Sequence, residues 1–193
     1  MSDLTRLILM CCCVLSLAGC AVFNDHTPSD EHRYEASNRK HLRSLRQLAV
    51  SPSILHQLQT AHDQEPLTQG SIDEIDTAWQ EEDPSVEPLV QSVLQNHVAS
   101  YLRRVQRVFP EYLELMVIDD QGCLTAANLR TSDYWQGDEA KWQEIFHHPE
   151  REYSIAEVKL DVSVNAYLHH YSLPVRSKQG DLLGVLVVGV AMD

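Results

Sequence analysis

The apolar residues of this 193-residue chain change their spacing at Pro110, and that change constrains the fold more than any other feature. Before Pro110 they recur every three or four residues, which is the period of an α-helix. After Pro110 they form short runs rich in β-branched residues, which is typical of strands. Helical segments followed by strands favour an α+β fold, in which helices pack against an antiparallel sheet.

Four helical segments are predicted before Pro110, at residues 31–50, 53–58, 71–80 and 86–108. The first is the long N-terminal helix, with Leu42, Leu45 and Leu48 on one face. Pro52 separates it from the second, because proline cannot donate a hydrogen bond within a helix.

Five strands are predicted after Pro110, at residues 113–118, 123–128, 153–158, 166–175 and 182–191, with a short helix over 139–146. Residues 119–122 and 177–181 contain glycine and polar residues and are typical of turns. We therefore predict a five-stranded antiparallel sheet on which the long N-terminal helix and further helices pack.

The N-terminal segment is predicted to be an export signal. Residues 7–18 form an apolar run of the length found in signal peptides, too short to span a bilayer comfortably. The run ends in Leu17, Ala18, Gly19 and Cys20, and this ending resembles a bacterial lipobox. The resemblance implies cleavage before Cys20 and lipidation of its thiol. A short helix with an incidental cysteine is the alternative.

The lipobox divides the chain into four predicted parts. Residues 1–19 are a signal peptide, 20–30 a lipid-anchored tether, 31–110 the helical part of a domain and 111–193 its sheet. Ala21 follows the cysteine, and by resemblance to known lipoprotein sorting this favours the outer membrane over the inner one. The expected location is the cell envelope, facing the periplasm.

Composition argues against several classes of function. The formal net charge of −13 argues against nucleic-acid binding, which needs clustered Lys and Arg. Four of the five cysteines lie in the first 20 residues and Cys123 is the fifth, so we expect no disulfide framework. The sequence has no nucleophile elbow, Walker loop or HExxH motif, and we predict neither an enzyme nor a cofactor. Neighbouring histidines on a strand face opposite sides, so the two His-His pairs predict no metal site.

Several segments resemble Cache domains, the PAS-like (PDC-type) sensor modules found outside the bacterial membrane. The matching residues are 71–79 (SIDEIDTAW), 115–128 (LMVIDDQGCLTAAN), 131–139 (TSDYWQGDE) together with Trp142, and 161–163. The likeness runs from about residue 38 to residue 193, and 131–139 is its most specific part. Trp135 and Lys141 depart from the family pattern. No transmembrane or output segment follows the sheet, so we expect any output to pass through a partner, here a membrane receptor, or through retention of the ligand.

The resemblance implies a ligand site between the sheet and the segment that joins the second and third strands. The predicted ligand-binding residues are Tyr134, Trp135, Asp138, Glu139, Trp142, Asp161, Ser163 and Tyr167. Aromatic faces and carboxylates attract cations, so the expected ligand is a small polar or cationic molecule such as an amino acid or amine. Ca²⁺ held by Asp138, Glu139 and Asp161 is the less favoured alternative.

Other interpretations of the same residues stay open. Trp79 and Trp142 also fit core packing, Tyr134 and Trp135 fit a rim that closes the core, and the carboxylates at 138 and 139 fit a helix start.

Three functions compete at this point. The first is a sensory lipoprotein that binds a small ligand. The second is an envelope scaffold or interaction protein that keeps the fold without a ligand. The third is a complex subunit, or homodimer, that uses the Leu42, Leu45 and Leu48 face as its interface. A cavity lined by Tyr134, Asp138, Glu139 and Asp161 favours the first, and a core filled by Trp135 and Trp142 favours the second.

Overall fold

The computed structural model describes residues 28–161 and 164–191, and the side chains of residues 28–34 and 161 lie outside that description. Residues 1–19, Cys20 and Ser163 are likewise outside the described residues. The chain from Ser37 onward forms one compact unit. No described helix is both long enough and apolar enough to cross a bilayer.

The described helices follow the apolar periodicity of the sequence. They are α1 (Pro28–Ala49), α2 (Pro52–His62), α3 (Gln69–Gln80), α4 (Glu87–Leu94), α5 (His97–Val108) and α6 (Ala140–Phe146), with a 3₁₀ turn at Pro84–Val86. The prediction of one helix over 86–108 is wrong. Asn96 ends it, because its side-chain oxygen accepts a hydrogen bond from Ala99 N at 2.8 Å and so caps a new helix, α5.

The described strands form one antiparallel sheet, which confirms the α+β class. They are β1 (Tyr112–Asp119), β2 (Leu124–Ala127), β3 (Ser154–Ile155), β4 (Lys159–Asp161), β5 (Ala166–Arg176) and β6 (Leu182–Ala191). Their order across the sheet is β2-β1-β6-β5-β3, and β4 also pairs with β5.

The single strand predicted over 153–158 is wrong, because two short strands occupy this edge. Ile155 lies opposite Tyr171, and Lys159 lies opposite Leu168. Three residues of the edge therefore face two residues of β5, which is the arrangement of a β-bulge. The bulge separates β3 from β4.

Helices cover both faces of the sheet, and each face has its own apolar core. Residues of α1, α2 and α5 pack on the face that carries Leu115, Val117 and Leu186. Residues of α3, α4 and α6 pack on the face that carries Met116 and Val187. Because side chains alternate between the two faces of a strand, β1 and β6 contribute to both cores.

The apolar face of α1 is buried within the chain itself. Leu42, Leu45 and Leu48 belong to the first core, and Leu45 has no exposed surface. The expectation that this face forms a dimer interface is wrong, because these side chains already pack against the chain's own sheet.

Candidate ligand-binding cavity

A buried acid and a buried base meet on the second face of the sheet. Glu114 on β1 and His170 on β5 each lie opposite Gly189 on the strand between them, β6. Their side chains meet above that glycine, with Glu114 Oε2 2.8 Å from His170 Nε2. A Cβ atom at Gly189 would stand 3.2 Å from Glu114 Cβ and 3.3 Å from His170 Nε2. Because Gly189 has no side chain, Glu114 and His170 have room to contact each other.

The Glu114 carboxylate is nearly enclosed but keeps hydrogen-bonding capacity. The exposed fractions of the two side chains are 5% for Glu114 and 14% for His170. An ionised carboxylate only accepts hydrogen bonds, so His170 Nε2 is the donor. Glu114 Oε1 makes no hydrogen bond with any described residue, and it is not among the polar atoms sealed off from solvent without a partner. This oxygen is therefore open to a further donor.

A cavity of about 270 Å³ has Glu114 and His170 in its lining. Its other walls are the loop after β2, the start of α6 and the edge of the sheet around the bulge. The lining residues from these walls are Thr131, Ser132, Asp133, Glu139, Ala140, Lys141, Ala156, Glu157, Lys159 and Leu160. Ligand sites of drug size occupy about 300–1,000 Å³, so this cavity suits a small metabolite.

Acidic side chains outnumber basic ones around this cavity. Besides Glu114, the acidic lining residues are Asp133, Glu139 and Glu157, against the lysines at 141 and 159. Apart from Glu114, these acids lie at least partly in solvent. The arrangement suits a ligand with a positive group and leaves two amines able to meet a negative or polar one.

The loop that walls the cavity is fastened to α3. Asp76 Oδ1 accepts hydrogen bonds from the backbone N–H groups of Tyr134, at 2.7 Å, and Trp135, at 2.9 Å. The indole N–H of Trp79 donates to Thr131 O at 3.0 Å. Asp76 and Trp79 both belong to the 71–79 motif, and in this structure their hydrogen bonds hold residues 131–135 against α3.

The predicted aromatic residues do not line this cavity. Tyr134 and Trp142 are each 7% exposed and lie in the second core, where Tyr134 packs against Trp79 with ring centroids 5.7 Å apart. Trp142 Nε1 donates to Asp119 O, and Trp135 Nε1 donates to Gln121 O. These contacts support packing at the β1–β2 turn, and a role of the three rings in ligand binding stays a prediction.

The predicted polar residues are divided among different places. Glu139 lines the cavity, whereas its neighbour Asp138 is exposed and does not. Tyr167 is 61% exposed on β5. The backbone of Asp161, in β4, pairs with that of Ala166, in β5. The side chain of Asp161 and all of Ser163 lie outside the described residues, so their predicted roles stay open.

Sequence reasoning missed Glu114 and His170, which are among the residues that line the cavity. A signal was present, since Glu114 interrupts the apolar run 113–118 and His170 lies within a strand whose alternate residues are apolar. A charged residue in a buried strand is costly unless it is paired. Only the register of β1, β6 and β5 reveals that these two residues pair with each other.

The β1–β2 turn holds a second group of buried polar side chains. Asp119 accepts hydrogen bonds from Gln121 N and Cys123 N, yet burial raises the pKa of its carboxyl to about 6. Burial also raises the pKa of the Cys123 thiol to about 12 and increases the pKa of Tyr134. The Cys123 thiol and the Tyr134 phenol are thus kept neutral near pH 7, which fits a packed turn.

The described residues contain no group of three or more His, Cys, Asp or Glu side chains placed to hold a metal ion.

No protein family and no curated protein match the sequence. Solved structures similar to the chain include the ligand-binding domain of the Campylobacter jejuni chemoreceptor Tlp3 in complex with 4-methylisoleucine. The two are 15% identical with a TM-score of 0.39 over 72% of this chain and 56% of that one. The sensor domain of the Vibrio cholerae histidine kinase DctB is 18% identical, with a TM-score of 0.38 over 83% of this chain and 55% of that one.

The ligand-binding domain of the Pseudomonas aeruginosa amino-acid chemoreceptor PctC in complex with GABA is also similar. It is 19% identical, with a TM-score of 0.40 over 66% of this chain and 63% of that one. The chain spans less than two thirds of the length of each of these three. These neighbours are sensory domains of the Cache type, the family that the sequence motifs resemble. Each of the three TM-scores is below 0.5.

Proposed function

We propose that this chain is an extracytoplasmic sensory lipoprotein that binds a small ligand and acts through a partner membrane receptor. The observation that carries the proposal is the cavity of about 270 Å³ with the Glu114–His170 pair in its wall. Burying two such groups costs desolvation energy, which apolar residues at these positions would avoid. Binding of a ligand by the Glu114–His170 pair would account for this desolvation cost.

The proposed ligand is a small polar or cationic molecule, with amino acids and amines as the first class to test. The excess of carboxylates around the cavity supports this choice. Glu139 is the predicted ligand-binding residue that lines the cavity, so it is the first of that set to test.

Thermal unfolding of the full chain against amino acids, amines, carboxylates and Ca²⁺ tests the proposal. A ligand at a hundredfold excess over its dissociation constant stabilises the native state by about 2.7 kcal/mol. For a chain of this size that corresponds to a rise in Tm of about 5–10 °C. Glu139→Gln is expected to reduce the rise, whereas Asp138→Asn, the same change one residue away at an exposed site, is expected to leave it intact.

Two results would contradict the proposal that the chain binds a ligand in this cavity. If no compound raises Tm, the ligand-binding proposal is wrong. If Asp138→Asn abolishes the rise and Glu139→Gln does not, the ligand lies elsewhere than in this cavity.

We also propose that residues 1–19 are removed and that lipid on Cys20 holds the chain in the envelope, with the outer membrane favoured. Acyl chains supply about 0.8 kcal/mol of membrane affinity for each buried methylene. Cys20→Ser is expected to move the protein from the membrane fraction to the soluble fraction. Cys13→Ser, the same change within the apolar run that precedes Cys20, is expected to leave it in the membrane. Equal fractionation of the two variants would contradict the anchor.

The partner receptor is the remaining part of the proposal. Because the proposed output passes through another protein, the ligand should change which membrane proteins crosslink to this chain. Crosslinking in membranes with and without the most stabilising compound checks this. An identical crosslinking pattern in both samples would count against a receptor that responds to the bound state.

An envelope scaffold without a ligand is the second candidate function. It is favoured by the packing of Trp142 in the second core and of Trp135 against it, since these rings occupy part of the region predicted to bind the ligand. In that case the compound library leaves Tm unchanged, and one set of membrane partners is captured whether or not any compound is present.

A further inference from the structure

The open oxygen of Glu114 carries an inference about which end of the ligand enters the cavity. We propose that Glu114 Oε1 receives a positively charged N–H donor, so that the ligand enters with an ammonium group toward the sheet. The inference deepens the proposed function and rests on it. It concerns Glu114, a residue that the sequence motifs do not include.

The first step is the incomplete hydrogen bonding of this carboxylate. A carboxylate has about four acceptor positions, and Glu114 Oε1 is not among the polar atoms sealed off from solvent without a partner, so a ligand donor can reach it. Among the described residues, Glu114 receives one side-chain hydrogen bond, at Oε2 from His170. The amines of Lys141 and Lys159 also line the cavity, yet neither bonds to Glu114. The described residues therefore provide no donor to Oε1.

The Glu114 carboxylate, which is the acceptor, is held in a fixed position. Glu114 is held from one side by His170, and the pair lies above Gly189, where a larger side chain would intrude. A carboxylate that is already oriented loses little entropy when it binds a donor, so a suitable ligand group gains most of the bond's free energy.

A positively charged ligand group suits Glu114 better than a negative or a neutral one. A ligand carboxylate beside Glu114 would meet a like charge at a site that is largely shielded from water. A neutral amide would form a weaker bond than an ammonium, since charge-assisted hydrogen bonds are about twice as strong. The lysines at 141 and 159 stand on the walls, where they can meet a polar or negative outer end of the same ligand.

Calorimetric titration of the full chain with paired compounds tests this inference. The probes are L-leucine, ethanolamine and n-butylamine, each compared with its N-acetyl derivative, in which the nitrogen carries no charge. We expect at least one of the free amines to bind and its acetylated partner to bind at least about tenfold more weakly.

Two variants separate Glu114 from the general charge of the cavity. Glu114→Gln is expected to weaken amine binding by about 10- to 100-fold. Glu157→Gln makes the same chemical change at an exposed position of the cavity wall and is expected to weaken binding less than about threefold. If Glu114→Gln does not fold, Glu114→Asp keeps the charge but withdraws it by one methylene, and the same loss is expected.

The outcomes distinguish this inference from the proposed function. If an amine binds but its acetylated partner binds equally well, or if Glu114→Gln weakens binding no more than Glu157→Gln, the inference is wrong while ligand binding stands. If none of the six probes binds, and no compound of the wider library raises Tm, both are wrong. Binding of an amine that is lost on acetylation and in Glu114→Gln supports both.

Discussion

Replacing Asp76 by alanine is expected to loosen the wall of the cavity and to destabilise the fold. Asp76 Oδ1 accepts two backbone hydrogen bonds, from Tyr134 N at 2.7 Å and Trp135 N at 2.9 Å. Asp76→Ala leaves both N–H groups without this partner, and the loop loses one of its attachments to α3.

The expected loss follows from these two bonds. A hydrogen bond to a charged group contributes about 1.5–3 kcal/mol, and water will replace part of it because Asp76 is only partly buried. We therefore expect the free energy of unfolding to fall by about 3 kcal/mol. For a chain of this size, that lowers Tm by about 6–12 °C.

Asp73→Ala is the matched control on the same helix. The Asp73 side chain is exposed and accepts a hydrogen bond from Gln69 Nε2 at 2.8 Å, one turn earlier in α3. Such a surface contact contributes less than about 0.5 kcal/mol. Both variants gain the helix propensity of alanine, so the difference between them isolates the two backbone bonds of Asp76.

Urea unfolding of the two variants, followed by circular dichroism, gives the comparison. Free energies of unfolding that agree within about 0.5 kcal/mol would refute the reasoning, because Asp76 would then not fasten the loop. Loss of stability in Asp76→Ala with unchanged ligand affinity would show that the loop keeps its shape without the bonds.

Three further predictions test the packing and the pH dependence. Gly189→Ala should separate the Glu114–His170 pair and lower the free energy of unfolding by about 1–3 kcal/mol. Gly70→Ala, at an open helical site, should raise it by about 0.5–1 kcal/mol. Equal urea midpoints for the two variants would contradict the expected difference. Leu45→Ala should lower the free energy of unfolding by about 2–5 kcal/mol, whereas Val50→Ala, at a 67% exposed site, should lower it by less than about 0.5 kcal/mol. A similarly small loss for Leu45→Ala in calorimetry would contradict the packing of α1. The folded Asp119 carboxyl has a pKa of about 6 against an ordinary 3.8, so its contribution to stability is present below about pH 4 and is lost as the pH rises through 6. Asp119→Asn should therefore flatten this fall in urea titrations between pH 4 and pH 8, and an unchanged slope would refute the assignment.

The order of elements could be predicted from the sequence because it depends on local periodicity. The boundaries that failed depend on contacts between distant residues. Asn96 lies within an apolar pattern that continues across it, and only its hydrogen bonds to Ala99 N and to Thr125 O of β2 show where one helix ends and the next begins. The bulge at residues 156–158 is likewise visible only once the edge is paired with β5.

The candidate site was predictable in place but not in composition. The segment that joins the second and third predicted strands does form a cavity wall, and Glu139 lies in it. Tyr134 and Trp142 carry the same sequence signal as a ligand-binding ring, yet the packing of α3 and α6 places them in the core. Glu114 and His170 are 56 residues apart and come together through the register of β1, β6 and β5, which periodicity does not specify.

A crystal structure of the chain with its most stabilising amine tests the central claim most directly. The account predicts that the amine lies in the cavity next to the Glu114–His170 pair, with its nitrogen within about 2.7–3.2 Å of Glu114 Oε1. A ligand bound at another surface, or a carboxylate group of the ligand against Glu114, would contradict it.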